Sequence, residues 1–190
     1  MGVAVLLGRS SWEPALTLQA MTVLEGKLVR LRPLEPGDVP ELRRIHETLE
    51  VARWWGPPED DFPLGDDPGA TRFTVLVEGE IAGLIQYGEE REPDYRHAWI
   101  DLFIDPERHR RGLGADAVST VARHLVEDRG HHRLTIDPAL HNAAAIRCYE
   151  KAGFDRVGVT QLSWRDPEGE WRDGLLMELI VPPRESQHRQ

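Results

Sequence analysis

Near the middle of the chain stands Arg108-His109-Arg110-Arg111-Gly112-Leu113-Gly114. It follows an apolar run that ends at Asp105-Pro106 and precedes a stretch with helical periodicity. A helix N-terminus presents unpaired backbone N–H groups and the positive end of its dipole. Two glycines let that backbone approach a ligand closely. With three arginines alongside, the chemistry favoured is the holding of a pyrophosphate. A solvated basic turn before a helix would use the same residues, and the segment alone is compatible with both. A phosphate-loop NTPase is excluded because no Gly-Lys-Ser/Thr follows. A dinucleotide fingerprint is excluded because Ala117 stands where its third glycine would be.

The second constellation is Asn142-Ala-Ala-Ala145-Ile-Arg-Cys-Tyr149-Glu-Lys151-Ala-Gly153-Phe154. On a helix, Asn142, Ile146, Tyr149 and Gly153 share one face. The Asn142 amide suits either an N-cap or a ligand amide. Tyr149 suits either a half-buried aromatic or a proton donor.

The elements that must position these residues are legible as follows. Val29 and Leu31 alternate with Arg30 and Arg32, so residues 28–34 are predicted as a strand. Asp38 is the expected N-cap of a helix through Leu42, Ile45, His46 and Leu49 that fades before Trp54-Trp55-Gly56. Residues 56–70 read as a loop. Strands at 73–77 and 81–87 flank the hairpin turn Glu78-Gly79-Glu80. A strand at 98–104 follows. The helix at 112–128 carries Leu113, Ala117, Val118, Val121 and Leu125 on one stripe and stops at Gly130. A short strand at 134–136, a helix at 142–152 stopped by Gly153, and strands at 157–162 and 175–181 joined across Asp166–Gly169 complete the order. The expected class is α/β, one mixed sheet flanked by helices.

Taken together, the two constellations resemble the GNAT N-acetyltransferase superfamily. His109-Arg110-Arg111-Gly112-Leu113-Gly114 is similar to its Gln/Arg-x-x-Gly-x-Gly/Ala acetyl-CoA loop, with His109 as a departure. Asn142-x-x-Ala145-x-x-x-Tyr149-x-Lys151-x-Gly153-Phe154 is similar to the helix and strand that follow. The resemblance covers about residues 28–181. It implies a mixed central sheet of about six to seven strands, in a domain spanning residues 23–183 between an extension at 1–22 and a polar tail at 184–190. Trp54-Trp55-Gly56, Trp99-Ile100-Asp101, and Thr135-Ile136-Asp137-Pro138 with the segment from Ala145 to Phe154 resemble aminoglycoside 6′-N-acetyltransferases more closely.

The resemblance implies direct acetyl transfer from acetyl-CoA to a primary amine, with no metal. Asp101 and Asp137 would stand near the amine, either one serving as the base that removes the ammonium proton; Trp54 and Trp55 would line the acceptor side. An alkyl ammonium has a pKa of about 10.4, so it must lose a proton before it attacks. Tyr149 would donate a proton to the departing CoA thiolate. Leu102, Phe103 and Ile104 would pair with the pantetheine arm through main-chain groups. His109, Arg110, Arg111, Gly112, Leu113 and Gly114 would hold the pyrophosphate, with Asn142 on the same cofactor. One of Arg108, Arg110 and Arg111 would approach the 3′-phosphate.

Composition agrees with a cationic partner. The chain has 190 residues and a formal charge of −10, from 23 basic and 33 acidic residues. Such a balance disfavours nucleic acid and anionic membranes and attracts a cationic small molecule. Five carboxylates among residues 59–67, with no Lys or Arg, and four at 89–94 against one Arg are either solvated loops or an acidic acceptor site. The single cysteine, Cys148, excludes an internal disulfide and reads as a structural thiol. His131-His132 point apart on regular structure. No stretch approaches the roughly 20 apolar residues of a spanning helix, and a cytoplasmic protein, monomeric or homodimeric through its C-terminal hairpin edge, is expected. Alternatives left open are acetylation of a protein N-terminus or another small amine, and a non-catalytic acyl-CoA-binding domain.

Overall fold

The computed structural model describes residues 22–65 and 69–182. The extension up to residue 21, the tail at 184–190, and Asp66 and Asp67 of the acidic loop lie outside the described residues. Strands are β1 (Leu24–Glu25), β2 (Arg30–Pro33), β3 (Ala70–Val77), β4 (Glu80–Glu90), β5 (His97–Ile104), β6 (Arg133–Ile136), β7 (Asp155–Arg165) and β8 (Trp171–Ile180). Helices are α1 (Val39–His46), α2 (Leu49–Trp55), α3 (Leu113–Glu127) and α4 (Ala143–Lys151). The eight strands form one sheet in the order β1-β2-β3-β4-β5-β6-β8-β7. Among the described strands only β5 and β6 pair in parallel, joined by the α3 crossover that such a pair requires.

The sheet buries both faces, and strand alternation decides which residue serves which layer. Leu84 of β4 and its partner Phe103 of β5 meet Leu42, Ile45 and Val51 under α1 and α2. Their neighbours Ile85 and Leu102 turn the other way, into a larger core with Val118, Val121, Ile146 and Tyr149 of α3 and α4. Each large apolar side chain so buried contributes about 1.5–3 kcal/mol before the cost of ordering it.

Four expectations shift. The sheet has one strand more than expected, because β1 is two residues long and too short to carry a period. The predicted first helix is two: Glu47 and Thr48 interrupt it, with Thr48 as N-cap of α2 and its hydroxyl donating to the Ile45 carbonyl at 2.7 Å. Trp54 and Trp55 are therefore helical, on the last turn of α2. Asp38 precedes α1 without capping it by its side chain. Its carboxylate instead accepts from Arg32 at 2.5 and 2.7 Å, from the Thr74 hydroxyl at 2.6 Å and from the Glu35 N–H at 3.0 Å.

Residue 28 belongs to a turn, with β2 beginning at Arg30. Asp116, in the first turns of α3, accepts from the N–H groups of Lys27, Leu28 and Val29 at 3.1, 2.6 and 3.0 Å. That grip fastens the β1–β2 turn to the start of α3. β7 is one edge strand, opposite β1, with Val157, Val159 and Leu162 exposed.

Candidate active site

β5 and β6 pair only at Ala98–Leu134 and Trp99–Thr135. Beyond that point β5 stays with β4 as far as the Gly83–Ile104 pair, while β6 stays with β8 as far as Ile136–Met177. The two strands therefore diverge, and a cleft of about 940 Å³ opens between them. Asp101, Leu102, Phe103 and Ile104 form one wall; Ile136, Asp137 and Pro138 form the other. The N-terminus of α3 and one face of α4 close the same cleft, together with the end of α2 and part of β7.

The loop before α3 has the geometry of an anion cradle. Arg110 and Gly112 both take positive φ, +62° and +82°, the kind of backbone turn from which anion-binding concavities are built. For Gly112 this conformation is free of strain; a side chain there would be strained. Gly114 is small for a different reason: a Cβ there would stand 3.0 Å from Cys148 Sγ, so glycine lets α3 and α4 approach. His109, the departure from the family pattern, is bonded through Nε2 to the Ile104 carbonyl at 2.8 Å. Its ring ties the loop to the end of β5. His109, Arg110, Gly112, Leu113 and Gly114 line the cleft, and Arg108 does too; Arg111 does not.

Asn142 is the N-cap of α4, its Oδ1 accepting from the Ala145 N–H at 3.1 Å. The cap uses the oxygen only, and the residue still lines the cleft. One and two turns on, Ile146 and Tyr149 are buried. The Tyr149 hydroxyl is held well above the ordinary tyrosine range, first by burial and then by the charges of Asp101, Cys148 and Asp137. All four of these residues line the same cleft. Cys148 also lines the cleft, but burial pushes its thiol up to about 11, which denies it the thiolate a nucleophile needs.

Asp101 is the most perturbed carboxyl of the site. Burial raises it, its bond from the Leu102 N–H (2.9 Å) lowers it, and Asp137 nearby raises it again, to about 7. Asp137 is raised as well, chiefly by burial. Neither carboxyl has an ion-pair partner among the described residues, and Asp101, at about 7, is tuned for proton exchange near neutrality.

The two tryptophans of α2 divide their tasks. Trp55 packs edge-on against Phe103, ring centroids 5.1 Å apart, and against His46 at 5.7 Å. Trp54 faces His141 and Trp164, each 6.3 Å away. Trp164 and Glu50 were not singled out from the sequence. Trp164 reaches the cleft because β7 bulges between Thr160 and Trp164, with Leu162 at φ +48°; nothing in the local sequence announces that bulge. Glu50 adds a third carboxylate to the lining.

The described carboxylates of the acidic segments stand elsewhere. No described residue of 59–65 or 89–94 lines the cleft. Glu89 is consumed by Arg129 at 2.9 Å, Arg91 at 3.1 Å and His131 at 2.8 Å. His131 is buried on that carboxylate and His132 is exposed, so the pair does point apart.

Comparison with known proteins agrees with this geometry. Residues 34–154 match the model of the Acetyltransferase (GNAT) family. The chain is 29% identical over 154 residues to an aminoglycoside N(6′)-acetyltransferase type 1 of Klebsiella pneumoniae, covering 69% of this chain and 76% of that one. It is 30% identical over 170 residues to the spermidine N(1)-acetyltransferase of Escherichia coli, covering 85% and 90%. Among solved structures, aminoglycoside acetyltransferase AAC(6′)-Ib in complex with coenzyme A and kanamycin superposes with a TM-score of 0.67 at 25% identity, over 80% of this chain and 94% of that one.

Proposed function

Because the chain belongs to the GNAT acetyltransferase family and is an acetyl-CoA-dependent N-acetyltransferase, we propose that it acetylates a primary amine of a cationic small molecule, with the 6′-amine of an aminoglycoside as the leading acceptor. The observation that carries this reading is that Asp101, Asp137 and Tyr149 line one cleft where β5 and β6 part, with Asp101 raised to about 7.

In this reading the main chain of Leu102, Phe103 and Ile104 holds the pantetheine arm. The N–H groups from His109 to Gly114 hold the pyrophosphate, and the Asn142 amide nitrogen, left over from capping, serves a cofactor carbonyl. Trp54, Trp55 and Trp164 wall the acceptor side. Glu50, Asp101 and Asp137 supply the negative charge that draws in a polycation. Arg111 does not line the cleft, so in this reading it contributes its backbone N–H to the loop and not its side chain.

Asp101, as the base, takes the proton of the acceptor ammonium, directly or through water. The freed amine attacks the thioester carbonyl; the C–N bond forms, the C–S bond breaks, the proton that the attacking nitrogen then sheds passes to the departing sulfur, directly or through water, and coenzyme A leaves as the thiol. The burial that raises Tyr149 keeps its hydroxyl protonated at neutral pH but makes it a weak acid. Its role therefore narrows to a hydrogen bond that stabilises charge on the departing sulfur. Asp137 holds the ammonium and keeps Asp101 basic by repulsion.

A polyamine acceptor is the second reading. It is favoured by the similarity to the spermidine enzyme over 85% of the chain and by the presence of three carboxylates in one cleft. The test is acetyl-CoA-dependent thiol release against aminoglycosides with and without a free 6′-amine, spermidine, and a basic N-terminal peptide. Turnover confined to the 6′-amine compounds is expected. Turnover of spermidine alone would move the assignment to polyamines, and turnover of the peptide alone would overturn the small-molecule reading.

A further inference from the structure

His46 is the last residue of α1 and is buried, yet no step of the reaction uses it. Its Nε2 stands 3.1 Å from the Gly56 carbonyl. A carbonyl only accepts, so that nitrogen carries the proton. Burial lowers the imidazole below the ordinary histidine range, against the opposing pull of the Gly56 bond. The ring is therefore neutral, and its buried Nδ1 has no hydrogen-bond partner among the described residues. An unpaired buried nitrogen is costly, and an apolar side chain would fill the space without that cost. What the histidine adds is the bond to Gly56. Gly56 ends α2, directly after Trp54 and Trp55, and takes φ +73° where a Cβ would meet no other atom. Its conformation, and not crowding, asks for glycine there. The imidazole also packs against the rings of Trp55, Phe62 and Phe103, at 5.7, 4.5 and 5.4 Å. Trp55 and Phe103 line the cleft and His46 does not, so it backs that wall from behind. Phe103 is two residues from Asp101 and on the same face of β5.

We infer that His46 is a positioning residue for the acceptor side of the cleft: by holding the Gly56 carbonyl it sets the pose of Trp54 and Trp55, and with it the affinity for the cationic acceptor, without touching either substrate. The inference rests on the acceptor reading of that wall. Loss of such a residue weakens acceptor binding while acetyl-CoA, held by β5, the loop before α3 and α4, is spared.

The test reads the wall of the full chain first without an acceptor and then with one. The indole N–H resonance of Trp54, whose ring neighbours are Arg53, His141 and Trp164, is followed by NMR. His46→Leu should move it. The same variant should raise the KM for kanamycin, or for spermidine if that is the amine turned over, about five- to tenfold, with the KM for acetyl-CoA within about twofold. His46→Gln can still donate to Gly56, so it should return the resonance toward its wild-type position and keep the acceptor KM within about twofold. Gly56→Ala strains the same turn from the other side and should move the resonance as His46→Leu does; it takes that variant's place if thermal melting shows the leucine protein unfolded. An unmoved Trp54 resonance overturns the inference, as does an equal rise in both KM values or a glutamine variant no better than leucine. If the wild type turns over neither amine, the acceptor reading fails, and the Trp54 resonance alone decides whether His46 positions the wall.

Discussion

Asp101 and Glu89 are two carboxylates on neighbouring strands of one sheet, three residues apart in register, and they are tuned in opposite directions. Burial pushes both upward. Glu89, on β4, meets Arg129, His131 and Arg91, which outweigh that push and bring it to about 2. Asp101, on β5, meets one backbone N–H and a second carboxylate, and it settles at about 7. Glu89 is a fixed anion that pins the end of β4 to the segment between α3 and β6. Asp101 is a carboxyl whose proton is exchangeable at working pH. The same desolvation produces a strut where cations are supplied and a base where they are withheld.

The largest effect that separates the two is on rate. Asp101→Asn should lower kcat about 10² to 10⁴-fold in a thiol-release assay, the range for loss of a general base. A drop below tenfold would assign the proton transfer to Asp137 and break the comparison at its catalytic end. Glu89→Gln should do the reverse. It leaves buried donors facing a neutral amide and should cost about 2–4 kcal/mol in denaturant unfolding, with kcat per folded molecule within about twofold.

Tyr149→Phe should reduce turnover about 10- to 100-fold while the KM for acetyl-CoA changes little. Equal turnover in both proteins would remove Tyr149 from the reaction.

The pH dependence sharpens the contrast. For the wild type, kcat/KM should fall as pH drops through about 7, where Asp101 takes up its proton. Stability should follow the two groups in opposite senses. Glu89 is lowered on folding, so its contribution is present above about 4.5 and lost as pH falls toward 2. Asp101 is raised, so its ionisation costs stability progressively from about 3.8 upward, and fully above 7. Asp101→Asn should therefore unfold later than the wild type at pH 8, by about 1–2 kcal/mol, and show no such gain at pH 4. A gain of the same size at both pH values would mean that charge burial is not its cause.

Much of the fold was legible because its signals are local. The stripe from Leu113 to Leu125 foretold α3 to within a residue or two of Leu113–Glu127. Glu78-Gly79-Glu80 marked the turn between β3 and β4. The break at Glu47-Thr48 was missed because apolar spacing runs through it; the sign was Thr48, a residue type suited to an N-cap. Residue 28 was placed in a strand because alternation cannot see Asp116, 88 residues away, holding its N–H in a turn.

For the site, residue types and spacing pointed to the glycine loop, Asn142 and Tyr149, and resemblance added Asp101 and Asp137. The sequence therefore determined the order of elements and the chemical groups on offer, since periodicity, turn residues and short spacings are written within about a dozen positions. Only the tertiary structure decided what each group does. It set Asp101 apart from Glu89, kept the described carboxylates of the acidic segments out of the cleft, and brought Trp164 to Trp54 across a bulged strand. Burial, and the presence or absence of a counter-charge, are contributed by residues far apart in the chain, and they exist only once the sheet has closed around them.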